Sequence, residues 1–145
     1  MHDVWRKTYS LLFEKIVTDQ PQNIQTNYMY YISKRLEVAF AHQLSLNYES
    51  KCQRLHGHNG IVTIYCCAET LNENGMVTDF SHIKQLVNGK LDHQCLNDLF
   101  TFNPTAENLA KWICENVENC YKVTFQESEG NIACYVKPGF EKVCF

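Results

Sequence analysis

Basic side chains are sparse and scattered in this chain of 145 residues. Thirteen Lys and Arg stand against sixteen Asp and Glu, a formal net charge of −3 with the histidines neutral. No run of Lys or Arg marks a nucleic-acid surface, so no nucleic-acid partner is expected. No apolar stretch approaches the ~20 residues of a membrane-spanning helix, so no membrane partner is expected either. The N-terminus does not read as a secretory leader either. The opening MHDVWRKTYSLLFEKIV carries charges inside its apolar part and has no small-residue cleavage site. There is no internal repeat and no low-complexity tract. What remains is an ordinary soluble balance, 45% hydrophobic and 20% charged, in a length that suits one compact domain with its own core.

Cysteine is plentiful, with eight in the chain. An even count can signal a disulfide framework. Free thiols are the expectation here, because the length needs no staples, no export signal is seen, and Cys66 and Cys67 are adjacent in a strand-like run. That places the protein in a reducing cytoplasm.

Residues 1–28 read as an N-terminal extension. Tyr9, Leu12, Phe13 and Ile16 fall at helical spacing, and DQPQNIQTN follows as a polar linker. The folded unit is expected over 29–145. Leu36, Val38 and Phe40 alternate with Glu37 and Ala39, as a half-buried strand does. Residues 43–57 lack periodicity and read as a long loop. IVTIYCCAE (61–69) is β-branched and aromatic, a second strand. A helix is expected from Ser81 to about Asn88, with Asp79 or Ser81 as N-cap. Leu91 to Asn97 reads as a polar loop. A second helix is expected from about Thr105 to Val117, with Pro104 at its start and Leu109, Trp112 and Ile113 as its stripe. Strands at 121–128 and 132–137 flank EGN (129–131), which suits a tight hairpin. The order β-β-α-α-β-β predicts an α+β fold, an antiparallel four-stranded sheet with two helices on one face.

Residues two apart on an extended chain share a face, so His56 and His58 point the same way if the backbone there is extended. His42 ends the preceding strand, and if the two strands pair antiparallel it comes near the start of the second, beside His58. Three convergent imidazoles suit a zinc ion and leave one position open for water or substrate. Cys52 has two readings. It closes the shell as a fourth ligand, which makes the metal structural, or it stands off as a thiol whose pKa the cation lowers. In LDHQCLN (91–97), Asp92 beside His93 can orient the imidazole and raise its pKa, which makes His93 a candidate proton shuttle. Glu127, late in a strand, has the ordinary reading of a solvated carboxylate. Asp79 reads as a cap, and His2 and His82 as structural.

Six motifs then occur in order: FAH (40–42), C-x3-HGHN (52–59), GMVTDF (75–80), LDHQCLN (91–97), NPTAEN (103–108) and QES (126–128). Together they resemble the 6-pyruvoyl-tetrahydropterin synthase superfamily, from about Met29 to Lys137. Within it they are most similar to the 6-carboxy-5,6,7,8-tetrahydropterin synthases of queuosine biosynthesis. The resemblance implies the tunnelling fold (T-fold) and a homo-oligomeric ring with active sites at subunit interfaces. It implies a Zn2+-dependent lyase acting on 7,8-dihydroneopterin triphosphate and releasing triphosphate, acetaldehyde and a 6-carboxy pterin. His42, His56 and His58 then resemble the zinc ligands, and Cys52 the proton-abstracting thiol. Asp92 and His93 resemble the proton-relay pair. Glu127 resembles the carboxylate that grips the pterin ring and joins the relay, and Thr105 a position whose backbone helps hold the ring.

Sister activities share these residues. The pyruvoyl-forming branch typically has a longer loop between the cysteine and HGH, so the short C-x3-H spacing favours the carboxy branch. A branch with glutamate in place of the cysteine is disfavoured by Cys52. Gly60 departs from the family, which usually has an aromatic there, and so removes a side chain near the metal. The rival of another class is a non-catalytic, zinc-stabilised pterin-binding module.

Overall fold

The structure is a computed structural model that describes residues 29–144. The expected helix and linker in 1–28 lie outside the described residues. Strand β1 (Tyr30–His42) pairs antiparallel with β2 (His56–Ala68) through an unbroken thirteen-residue register, from Tyr30 opposite Ala68 to His42 opposite His56. Helix α1 (Phe80–Leu91) follows, then β3 (Gln94–Cys95), the single-turn α2 (Leu96–Leu99) and helix α3 (Ala106–Asn116). Strands β4 (Cys120–Ser128) and β5 (Asn131–Val136) close the chain's sheet as a hairpin.

The sheet order is β3-β1-β2-β4-β5. This corrects the expected four antiparallel strands. A fifth strand, β3, lies parallel to β1, with Gln94 against Phe40 and Cys95 against Ala41. It falls in the stretch read as a polar loop, and two residues are too few to display the period-2 alternation of a strand. The second correction concerns β2, which begins at His56 rather than 61, so HGHN is strand and not loop. Glycine, asparagine and histidine lack β-propensity, and pairing with β1 overrides it.

One face of the sheet is apolar. Leu36, Val38 and Phe40 of β1, Val62 and Ile64 of β2, and Val123 and Phe125 of β4 join one buried cluster with Ile83, Val87 and Leu91 of α1 and Leu109, Ile113 and Cys114 of α3. Both long helices therefore cover the same face. Each begins where a side chain satisfies an orphan amide: Asp79 Oδ1 accepts from Ser81 N at 2.7 Å, and Thr105 Oγ1 from Asn108 N at 3.3 Å. The other face carries Ser33, Arg35, Glu37, Thr63, Tyr65 and Thr124, all exposed or half-buried. All eight cysteines are free, Cys66, Cys67, Cys114 and Cys120 being buried.

Candidate active site

The pleat carries the helix-side face past the apolar core to one end of the sheet, and there it turns polar. His42 follows Phe40 on β1, His56 and His58 open β2, and Glu127 lies two residues beyond Phe125 on β4. Glu127 occupies an irregularity of the β4–β5 ladder, between the pairs Gln126–Ile132 and Ser128–Asn131. Bulges of this kind re-aim side chains beside functional sites. The imidazole centroids of His42, His56 and His58 are 4.7, 4.9 and 5.1 Å apart. One donor atom from each histidine and one Glu127 oxygen all lie within 4.8 Å of one another.

Two ring protons in this cluster can be placed. His42 Nδ1 is 2.8 Å from the Pro104 carbonyl oxygen, which only accepts, so Nδ1 carries the hydrogen. The ring is fully buried, and desolvation lowers its pKa, which favours the neutral form. Its Nε2 is then a bare lone pair, yet it faces Glu127 Oε1 at 3.0 Å without a hydrogen bond. His56 Nδ1 lies 2.7 Å from the Arg54 carbonyl, which frees its Nε2 in the same way. His58 Nε2 is buried without a hydrogen-bond partner, 3.5 Å from the same Glu127 oxygen. The His42 nitrogen and the Glu127 carboxylate, both electron-rich, thus face each other with no proton between them. A divalent cation resolves that arrangement, and the backbone carbonyls behind His42 and His56 are the outer support that imidazole ligands use. These four residues could hold a metal ion.

Gly60 lies on the same face. A Cβ there would meet Phe40 Cε1 at 3.0 Å and the Gln126 carbonyl at 3.1 Å. The space an aromatic residue would occupy at position 60 is filled by Phe40, whose ring packs 5.3 Å from His42 and 5.5 Å from His58. Gly60→Ala is expected to destabilise the fold by about 1–3 kcal/mol through overpacking, measured by denaturant unfolding.

Cys52 sits in a 3-10 turn, Lys51–Gln53, half-buried. Ser50 Oγ accepts from Cys52 N at 3.2 Å, and Gln53 Oε1 accepts from Ser50 N at 3.1 Å. Its neighbours Ser50, Lys51, Gln53 and Arg54 line a cleft of about 800 Å³ with His56. Thr105 and Glu127 share another cleft of about 500 Å³, walled by Leu44 and Leu46 and by a second carboxylate, Glu107, which sequence reasoning missed.

Asp92 and His93 lie outside the four-residue cluster, beside β1. Asp92 Oδ1 accepts from Ala39 N at 2.8 Å, and Oδ2 is 3.0 Å from His93 Nδ1. His93 N donates to Ala39 O at 2.6 Å, its φ is +56°, and its side chain is 81% exposed. A non-glycine residue in this left-handed region is uncommon and costs free energy, a feature that collects at functional sites. The Ala39 amide, and then His93, hold the Asp92 carboxyl below the usual range. A depressed folded pKa means stability that is present above the unfolded value and is lost as pH falls through the folded one. Asp92→Asn is therefore expected to flatten the acid limb of the stability profile while leaving its alkaline limb unchanged, as read by thermal unfolding against pH.

Comparison with known proteins agrees with this architecture. The sequence profile of the family described as 6-pyruvoyl tetrahydropterin synthase matches residues 31–138, so the chain belongs to that family. The 6-carboxy-5,6,7,8-tetrahydropterin synthase of Bacillus subtilis (strain 168) is 31% identical over 120 residues, 78% of this chain and 82% of that protein. A protein of the same name from Rickettsia bellii (strain RML369-C) is 30% identical over 105 residues, 72% of this chain and 75% of its own. Among solved structures, the 6-pyruvoyl tetrahydropterin synthase of Caenorhabditis elegans matches with a TM-score of 0.62 at 27% identity, covering 76% of this chain and 96% of that one. Among the described residues, no helix is long and apolar enough to cross a membrane.

Proposed function

We propose that the chain is a zinc-dependent, cytoplasmic 6-carboxytetrahydropterin synthase of the queuosine pathway. It converts 7,8-dihydroneopterin triphosphate and water to 6-carboxy-5,6,7,8-tetrahydropterin, acetaldehyde and triphosphate. The observation that carries this is the cluster of His42, His56, His58 and Glu127, in which His42 is fully buried and its bare ring nitrogen faces a carboxylate oxygen. Three imidazoles and an open position suit zinc in its catalytic form. Bound there, zinc supplies Lewis acidity to the substrate's side-chain oxygens.

The chain's own residues do the rest. Glu127 reaches both the donor cluster and the Thr105 cleft, so one carboxylate can accept hydrogen bonds from the pterin ring beside the metal. Leu44 and Leu46 give that cleft apolar walls for a flat heterocycle. Cys52, as thiolate, takes a proton from the side chain, and His93, oriented by Asp92, returns one. The Asp92–His93 pair is outside the cluster and His93 is largely exposed, which supports a homo-oligomer in which subunits share residues across a joint active site. The polar, partly open face of the sheet supports the same reading.

The test is a product assay. Zinc-loaded protein is incubated with 7,8-dihydroneopterin triphosphate, and the pterin and aldehyde are identified by mass spectrometry. Carboxytetrahydropterin with equimolar acetaldehyde is the expected result. A pyruvoyl pterin without aldehyde would assign the chain to the sister activity carried by the name of the C. elegans structure. Bound zinc with no turnover would reduce it to a pterin-binding module.

A further inference from the structure

The free side of β1 is satisfied in an unusual way beyond the end of the strand. Extended backbone sends the polar groups of residues i and i+2 toward one edge and those of i+1 toward the other. Past β1, Gln43 and Ser45 meet no strand on that edge. Each meets a single asparagine side chain instead. Gln43 N donates to Asn97 Oδ1 at 2.8 Å, while Asn97 Nδ2 donates back to Gln43 O at 2.8 Å. Ser45 N donates to Asn103 Oδ1 at 2.9 Å, and Asn103 Nδ2 returns a bond to Ser45 O at 3.0 Å. A carboxamide has the donor and acceptor of a peptide group, so the two asparagines extend the ladder that β3 began. On the opposite edge, Leu44 N donates to the carbonyl of Cys52 at 2.8 Å.

Three consecutive residues are thus fixed from both sides, and the middle one holds Cys52. Asn103 is itself anchored, because its carbonyl accepts from Thr105 N at 2.8 Å and from Asn108 Nδ2 at 2.9 Å. The next carbonyl, that of Pro104, aims His42. The turn that orients a ligand of the candidate metal thereby also holds the segment that carries the thiol.

We infer that Asn97 and Asn103 are positioning residues, whose side-chain amides clamp Gln43–Ser45 and so set the Cys52 thiol against the metal centre. This rests on the reading of Cys52 as the proton-abstracting group. A loose clamp leaves the metal in place but lets the thiol drift, and misplacement of a reacting group by ~1 Å costs on the order of 100-fold in rate.

The experiment uses the full zinc-loaded protein, with Asn97→Ala and Asn103→Ala made separately and together. Zinc content, kcat and KM are measured. The pH dependence of Cys52 alkylation by iodoacetamide is followed at peptide level, so that Cys134 and Cys144 do not contribute. For Asn97→Ala the expected result is unchanged zinc, a kcat lower by ~10–100-fold, a KM within ~3-fold, and a displaced alkylation profile. The double variant should lose little more than the worse single one, because both amides clamp one segment. An alkylation profile and kcat like those of the parent in Asn97→Ala would overturn the inference. So would a loss of zinc proportional to the loss of activity. If Asn97→Ala does not fold, Asn97→Ser, which keeps one hydrogen-bonding group and adds no charge, is judged by the same criteria. Should Cys52→Ala retain full turnover, the reading of Cys52 as the base fails. The alkylation profile still reports on the clamp in that case, so the two failures are distinguishable.

Discussion

His42→Ala is expected to empty the metal site and stop turnover together. His42 is the most deeply buried of the four donors, and the Pro104 carbonyl fixes which ring nitrogen faces the others. With the three histidines as ligands, its removal leaves His56 and His58, two where a catalytic zinc site needs three. The Lewis acidity lost with the metal is worth several kcal/mol, so kcat/KM should fall on the order of 10³-fold or more. Metal content by elemental analysis should fall with it. Glu127→Gln provides the contrast. If the three histidines are the ligands, as the sequence resemblance implies, this variant keeps its zinc and loses substrate binding and rate. If Glu127 Oε1, 3.0 Å from His42 Nε2, is itself a ligand, zinc affinity drops in this variant as well. The two metal measurements therefore decide what the short distance means.

How much of this site was legible beforehand follows from which signals are local. The donors of HGHN and FAH lie on strand backbones, where period 2 alone places His56 with His58 and His42 at the end of the partner strand. The observed register puts His42 directly opposite His56. The cap of the first long helix was equally readable, Asp79 being one of two candidates with Ser81, since a cap is a local pattern, whereas Thr105, expected as the first residue of the second, is its cap. What escaped was tertiary in origin. Strand β3 is only two residues long and exists because β1 offers it an edge. The start of β2 at His56 depends on pairing and not on propensity. Gly60 looked like a missing side chain, and its reason is Phe40 reaching across from another strand. Asn97 and Asn103 stand in LDHQCLN and NPTAEN, but a side chain that imitates a peptide group leaves no periodic trace.

Cys52→Ala is expected to separate chemistry from metal binding. The alternative that closes the shell with Cys52 makes the opposite forecast, loss of zinc and of stability. Among the described residues, the group that can gather around one ion is three histidines and Glu127, without Cys52. The thiol lies on a separate 3-10 turn, tied to the loop by its own backbone through Ser50 and Leu44. Removing Sγ therefore takes away a proton acceptor and leaves the four clustered donor groups in place. General-base catalysis contributes typically 10²–10⁴-fold, so kcat should fall by about that factor while zinc stoichiometry and KM stay close to those of the parent. Cys52→Ser sharpens the forecast. A hydroxyl matches the thiol in shape but is a far weaker acid, so it should restore almost none of the lost rate. A variant that keeps zinc, binds substrate and fails to turn it over would place Cys52 in the chemical step. One that loses zinc in parallel with activity would make it a ligand after all.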